Sequence, residues 1–198
     1  PIAIRGRRAA LCLAPPDHRP EPMPHLADTP VLETERLVLR APRAGDFGVW
    51  DTFAQSDRSR YMGGPYNARD SWRAFANIVG HWVLRGWGEF VFGLRGSDAP
   101  LGYAGPWFPE GWPEREIGWA VWDPAAEGKG YAFEAAQAAR AHAFDVLGWE
   151  TAVSYIDPGN ARSIALAERL GAVRDPEAAP FHEGDLVFRH PAPGRPAA

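Results

Sequence analysis

Apolar and polar residues alternate along Thr34-Glu35-Arg36-Leu37-Val38-Leu39-Arg40, which predicts a strand with Leu37 and Leu39 on one face. The period then changes. Phe47, Trp50 and Phe53 recur at helical spacing behind Asp46, a side chain suited to an N-cap. Tyr61 to Pro65 reads as a loop. Trp72, Phe75, Ile78, Val79 and Trp82 mark a second helix through Leu84, capped by Asp70 or Ser71 and ended by Gly86. Gly88–Leu94, Leu101–Phe108 and Glu114–Trp122 are apolar runs joined by short turns, the pattern of an antiparallel meander. Pro106 argues for an edge or a bulge near the end of its strand. A glycine loop then opens an alanine-faced helix that runs to about Leu147, where Gly148 stops it. Glu150–Ile156 is a further strand, so this strand, helix and strand make a crossover unit. Asn160 suits the cap of a helix Ala161–Leu170 closed by Gly171. A short strand Ala172–Arg174, a polar loop 175–184 and a last strand Asp185–Arg189 complete the pattern.

Composition sets the limits. Residues 1–29 are rich in proline and arginine without apolar periodicity, so they are expected to be a disordered extension. Met23 heads the first foldable stretch, and residues 1–22 read as an upstream extension. Residues 30–190 make one domain, and 191–198 a loose Pro/Ala-rich tail. The net charge of −4 gives no footprint for nucleic acid. One cysteine, Cys12, allows neither an internal disulfide nor a cysteine metal cluster, and no metal is expected. No apolar run reaches the length of a membrane span. These features together suggest a bacterial-type cytoplasmic protein.

The stretch with the most chemistry is Glu127-Gly128-Lys129-Gly130-Tyr131-Ala132. Gly128 and Gly130 let the backbone take conformations closed to other residues. The helix behind them offers free N–H groups and the positive end of its dipole, which together suit phosphate. Lys129 adds a full charge. A plain tight turn is the competing reading. A Walker A loop is excluded because Gly130 and Tyr131 follow Lys129. A dinucleotide fingerprint is excluded because Phe133 stands at its third small position.

The order β-α-α-β-β-β-α-β-α-β-β resembles the GCN5-related N-acetyltransferase family, over roughly Thr34 to Arg189. Three motifs carry the resemblance. Thr34 to Arg40, with Asp46 beyond, is similar to the opening of the branch that acetylates ribosomal-protein N-termini. Glu127 to Ala135 resembles the family's acetyl-CoA pyrophosphate loop. Asn160-Ala161-Arg162-Ser163 with Glu168-Arg169-Leu170-Gly171-Ala172 resembles its second cofactor motif. The resemblance implies an α+β (α/β) fold: a mixed, largely antiparallel sheet of about six to seven strands with about four helices on its two faces. It implies an acetyl-CoA-dependent acyltransferase acting on a small-molecule amine or a peptide N-terminus, with a homodimer allowed and no metal. A non-catalytic acyl-CoA-binding module on the same fold is the alternative.

The resemblance also assigns residues. Trp119 and Val121 would pair their backbone with the pantetheine amides. The amides of Gly128, Lys129, Gly130, Tyr131 and Ala132 would hold the pyrophosphate. Asn160 would touch the pantetheine arm with Ser163 close by, although a helix cap explains Asn160 equally well. Glu116, on the strand leading to the cofactor, is the candidate base, an ion pair being its other reading; Glu114, Glu89 and Asp157 rank behind it. Arg60 to Asn67, Pro176 to Gly184 and the hairpin Trp107 to Trp112 would wall the acceptor site. Two departures stand out. Glu127 occupies a place where the family usually has Gln or Arg, and its charge would oppose a pyrophosphate unless it points away. Asp175 to Asp185 also holds no tyrosine to serve as general acid, leaving His182 as the only titratable replacement of similar kind, a surface histidine being its other reading.

Overall fold

The computed structural model describes residues 26–191. Eight strands form one sheet: β1 (Leu32–Glu33), β2 (Leu37–Arg40), β3 (Phe90–Leu94), β4 (Gly102–Trp107), β5 (Glu116–Val121), β6 (Ala152–Ile156), β7 (Val173–Arg174) and β8 (Leu186–His190). Their spatial order is β1-β2-β3-β4-β5-β6-β8-β7. Every neighbouring pair is antiparallel except β5 and β6. The two-residue β1 extends the expected sheet by one strand, and it is too short to show an alternating pattern.

Four helices cover the sheet: α1 (Phe47–Ala54), α2 (Ala68–Arg85), α3 (Tyr131–Asp145) and α4 (Ala161–Arg169). Alternation along the strands sends residues to two faces. Val91, Tyr103, Ala120 and Trp122 meet Trp50, Phe53, Phe75 and Ile78 of α1 and α2. On the other face Leu37, Leu39, Phe90, Phe92 and Ala104 meet Ala135, Ala136 and Ala139 of α3. These alanines have no exposed surface, and their small side chains let the helix lie close to the sheet. Burial of Phe90 or Phe92 contributes roughly 1.5–3 kcal/mol each. Leu26 packs against the same cluster, so contact with the core begins at the first described residue.

Several local expectations are corrected. Asn67 caps α2, not Asp70 or Ser71: its Oδ1 accepts the Asp70 N–H at 3.0 Å, and Ser71 is fully buried. Asp46 precedes α1 as expected but makes no side-chain cap for it. Its carboxylate instead takes the Arg40 guanidinium at 2.8 and 2.7 Å and the Arg43 N–H at 2.8 Å, which closes the 3-10 turn Ala44–Asp46. Part of the loop after α1 is a 3-10 turn, Asp57–Met62. Pro106 lies within a central strand, but the pairing of β3 with β4 ends at Phe90↔Ala104. Beyond Ala104 the β3–β4 ladder has ended, so the missing N–H costs no ladder bond.

One seam in the sheet is incompletely paired. Strand β5 pairs with β4 at six successive positions, from Gly102↔Val121 to Trp107↔Glu116. With β6 it pairs only at Glu116↔Val153. Past that pair the two parallel strands part, and the fork opens toward the glycine loop and the N-terminus of α4.

Candidate active site

The glycine loop has the geometry its sequence suggested. Gly128 and Gly130 sit at φ +72° and +79°, in the left-handed region. Gly130 is the N-cap of α3 and has no side chain to cap it, and the first helical bond is Glu134 N–H to the Gly130 carbonyl. The amides of Tyr131, Ala132 and Phe133 therefore have no intrahelical acceptor. A Cβ on Gly128 would meet nothing within 4 Å, so the approach to the loop is open. These groups fit a pyrophosphate. Lys129 is exposed, and its carbonyl accepts from Arg36 at 3.0 Å. Arg36 also covers the Tyr131 ring at 4.7 Å.

The motif Thr34 to Arg40 turns out to brace this loop. Thr34 Oγ1 donates to Glu134 at 2.6 Å, and the Arg36 backbone N–H and guanidinium donate to the same carboxylate at 2.9 and 2.6 Å. Those bonds outweigh the effect of burial and hold the Glu134 carboxyl below its usual range.

Glu127 does not oppose an incoming anion as a free charge. Its Oε1 accepts from Arg58 at 2.9 and 2.6 Å, and its Oε2 accepts from Arg162 at 2.6 Å. Burial pushes this carboxyl up, but the two guanidinium groups hold it below the ordinary value. The trio carries a net positive charge at the edge of the loop. Arg58 reaches further, donating to the Val121 carbonyl at 2.8 Å and to that of Trp122.

The assigned backbone positions lie along the fork. The Trp122 N–H donates to the Leu101 carbonyl at 2.7 Å, so alternate residues of β5 turn their peptide groups toward β4. Those of Trp119 and Val121 therefore face the fork. The Val121 carbonyl is already held by Arg58. The Trp119 indole packs on the α3/α4 face of the sheet and donates to Ser163 Oγ at 3.3 Å. Asn160 is a helix cap: its Oδ1 accepts the Ser163 N–H at 3.2 Å. Its NH2 group makes no hydrogen bond among the described residues.

Glu116 stands at the base of the fork, on the α1/α2 face. Its Oε2 accepts the Trp112 indole N–H at 2.7 Å. Burial pushes its carboxyl up to about 7, against the pull of that bond and of the Tyr155 backbone N–H. Trp112 stacks on Phe181 at 3.8 Å, which joins the β4–β5 hairpin to the late loop. Tyr66 and Met62 come from the third segment, and Tyr103 donates to Met62 Sδ at 3.9 Å. The three segments named as acceptor walls thus meet around Glu116 and Tyr103. His182 is exposed at the rim. Glu114 is taken up by Arg189 at 2.8 and 2.9 Å, and Asp157 caps its own turn at Gly159.

Glu89 proves closer to Glu116 than its rank suggested. It is 4% exposed, with its Oε1 over Gly118, 2.7 Å from where a Cβ would stand. Gly105 pairs with Gly118 and receives the Glu89 backbone just as closely, 2.9 Å from its own Cβ position. Two facing glycines thus make the hole that this acid fills. Burial, then the neighbouring Glu116, push its carboxyl well above the ordinary value. Burial and the same two acids raise the Tyr103 hydroxyl well above its usual range.

Arg58 was missed in sequence, and Tyr61 was expected only as part of the acceptor wall Arg60 to Asn67. Both lie on the 3-10 turn Asp57–Met62, and Tyr61 donates to the Gly159 carbonyl at 2.9 Å at the entrance to α4. Their segment is polar and aperiodic, and nothing in it signals that it crosses the fork. Among the described residues no helix is long and apolar enough to cross a membrane, and no group of three or more His, Cys, Asp or Glu could hold a metal ion.

A family model described as "Acetyltransferase (GNAT) domain" matches residues 36–173. An acetyltransferase from Agrobacterium tumefaciens shares 38% identity over 84% of this chain and 97% of its own, with a TM-score of 0.78. A GNAT-family acetyltransferase from Bordetella pertussis shares 30% over 81% and 99%, with a TM-score of 0.67. A spermidine N-acetyltransferase from Vibrio cholerae, solved with CoA and spermine, shares the fold at 19% identity, over 79% and 94%, with a TM-score of 0.60. Open amides behind two left-handed glycines, a forked parallel seam and an acid of near-neutral pKa at its base thus sit in a chain that belongs to the GNAT acetyltransferase family.

Proposed function

We propose that the protein is an N-acetyltransferase that moves the acetyl group of acetyl-CoA to a primary amine by direct attack on the thioester. The observation that carries this reading is the Glu116 carboxyl, poised at about 7 within aromatic walls at the base of the fork. Acetyl-CoA supplies an electrophilic carbonyl; the residues do the rest. The amides from Gly128 to Ala132 would hold the pyrophosphate, with Arg58 and Arg162 offsetting Glu127 beside it. Trp119 and Asn160 would orient the arm along the fork. Glu116 would take the proton from the acceptor's ammonium group, directly or through water, because a base near the working pH transfers protons best.

The acceptor is read from the walls. Tyr66, Met62, Trp112 and Phe181 favour a compact, partly apolar amine, whether a small molecule or a short peptide N-terminus. The Vibrio relative named for spermidine shows this fold handling a small amine. The motif Thr34 to Arg40 lends no support to a ribosomal-protein acceptor, because its side chains brace α3. The cosubstrate is an intracellular metabolite, which favours the cytoplasm. The test is a thiol-release assay with wild type and Glu116→Gln across small amines and peptide N-termini. Thiol release by wild type alone supports the reading; acetyl-CoA binding with no release from any acceptor favours the non-catalytic module.

A further inference from the structure

The fork between β5 and β6 contains a buried polar chain that the catalytic reading does not use. Register pairing between the strands ends at Glu116↔Val153. At the next residue of each strand, Ser154 Oγ donates to the Ile117 carbonyl at 2.6 Å. The same oxygen lies 2.9 Å from His190 Nε2. Both residues are 2% exposed.

The protons in this chain can be assigned. A serine hydroxyl has one hydrogen, and here it goes to Ile117. It cannot also go to His190, so His190 Nε2 carries the hydrogen and donates to Ser154. That leaves Nδ1 bare, and Nδ1 is indeed buried without a partner. Adding a second proton would bury a charge there. Burial, then Arg140, push this imidazole down to about 3, in keeping with a permanently neutral ring. The groups facing it from neighbouring elements are Ser154, the edge of the Trp119 ring and Arg140, whose guanidinium is occupied by the Leu170 carbonyl.

The chain therefore runs one way, from β8 through β6 to β5: His190 N–H to Ser154 O–H to the Ile117 carbonyl. It stands where the ladder stops and the fork begins. Neither residue can act as a nucleophile or base, since the serine hydrogen is committed and the ring nitrogen that faces it is protonated. What the chain can do is fix the angle at which β5 leaves β6. Trp119, two residues beyond Ile117, packs edge-on against the same histidine and is tied at its other end to Ser163 of α4.

We propose that Ser154 and His190 are positioning residues for the cosubstrate: their hydrogen-bonded chain to Ile117 sets the width of the fork, and with it the spacing between the Trp119 peptide group and the N-terminus of α4. This rests on the reading that acetyl-CoA lies in the fork.

The test is CoA affinity by calorimetry, with melting temperature and steady-state kinetics in parallel. Ser154→Ala removes the link, and His190→Phe removes the donor while filling the space. Each should raise the Kd for CoA and the KM for acetyl-CoA about tenfold, the size of one lost anchoring contact of roughly 1.4 kcal/mol. The acceptor KM should stay within about twofold, and the double variant should be no worse than either single one, since both break one chain. His190→Gln, which keeps a donor, should recover most of the affinity. Unchanged CoA affinity in folded Ser154→Ala and His190→Phe overturns the proposal. Failure of both to fold also overturns it, because the chain is then an element of stability alone. A wild type that binds no CoA would instead remove the cofactor reading on which the proposal stands.

Discussion

Arg58 and Glu127 meet at 2.6 Å across the mouth of the fork, tying the 3-10 turn after α1 to the loop that would carry the pyrophosphate. Arg162 binds the other oxygen of the same carboxylate, also at 2.6 Å. In sequence Glu127 looks like a defect in an anion site. In the fold it is the counter-charge that arranges two arginines there.

The arrangement predicts a dependence between the two residues. Arg58→Ala should weaken CoA binding about tenfold, roughly 1.4 kcal/mol, because Glu127 then faces the phosphates with one partner. Adding Glu127→Gln should recover most of the loss, and Glu127→Gln alone should change affinity by less than about threefold. Calorimetry on the three variants at low salt checks this. An equal loss from Arg58→Ala in both backgrounds would mean that Arg58 binds the ligand itself.

Removing the loop's shape should remove its ligand. Acetyl-CoA at about 100 times its Kd should stabilise the wild type by roughly 2.7 kcal/mol. Gly130→Asp puts a side chain on a left-handed residue and a negative charge among the open amides. It should abolish the ligand-induced rise in melting temperature, and a full rise in that variant would rule out the loop as the phosphate site.

Glu116 sets a pH limb. Its carboxyl, raised to about 7 by burial, must be ionised to accept a proton. Activity should therefore fall about tenfold per pH unit below that value. Glu116→Gln should lower turnover at neutral pH at least about tenfold, erase the limb and leave acetyl-CoA affinity little changed. Wild-type turnover in this variant would move the base elsewhere.

Glu89 should cost stability at high pH. Its folded pKa is raised above the unfolded value of 4.5, so the folded state holds the proton more tightly than the unfolded chain. The stability that this proton gives is complete below about 4.5. It is lost as pH rises toward the folded pKa, by about 1.4 kcal/mol per unit. Glu89→Gln keeps the shape without the proton. Its melting temperature should match wild type below about pH 4.5 and exceed it by a growing margin as pH rises above that value; parallel curves across that range would show that Glu89 does not titrate as described.

Much of this fold was legible because its elements are long and periodic. The stripe from Phe75 to Trp82 and the alternation of Leu37 and Leu39 each specify one face. The glycine loop was legible because left-handed backbone needs glycine. What sequence could not show were contacts between segments far apart along the chain. Arg58 lies 69 residues from Glu127, and nothing periodic marks either. Asn67 was overlooked as a cap because Asp70 and Ser71 are equally good capping residues by type. The Ser154–His190 chain was invisible for a related reason: it depends on where a ladder stops, and periodicity reports only where strands run.

The facing glycines of β4 and β5 have one further consequence. Because Gly105 and Gly118 carry no side chains, the carboxyl of Glu89, the residue just before β3, occupies the floor beside Glu116, so the number of acids in the cleft is set by two residues that cannot ionise. Gly118→Ala would place a methyl 2.7 Å from Glu89 Oε1 and force the acid out. The cleft would change from a two-acid to a one-acid site without the loss of any acid from the sequence. A family survey that aligned only the charged positions would score the two sites as identical.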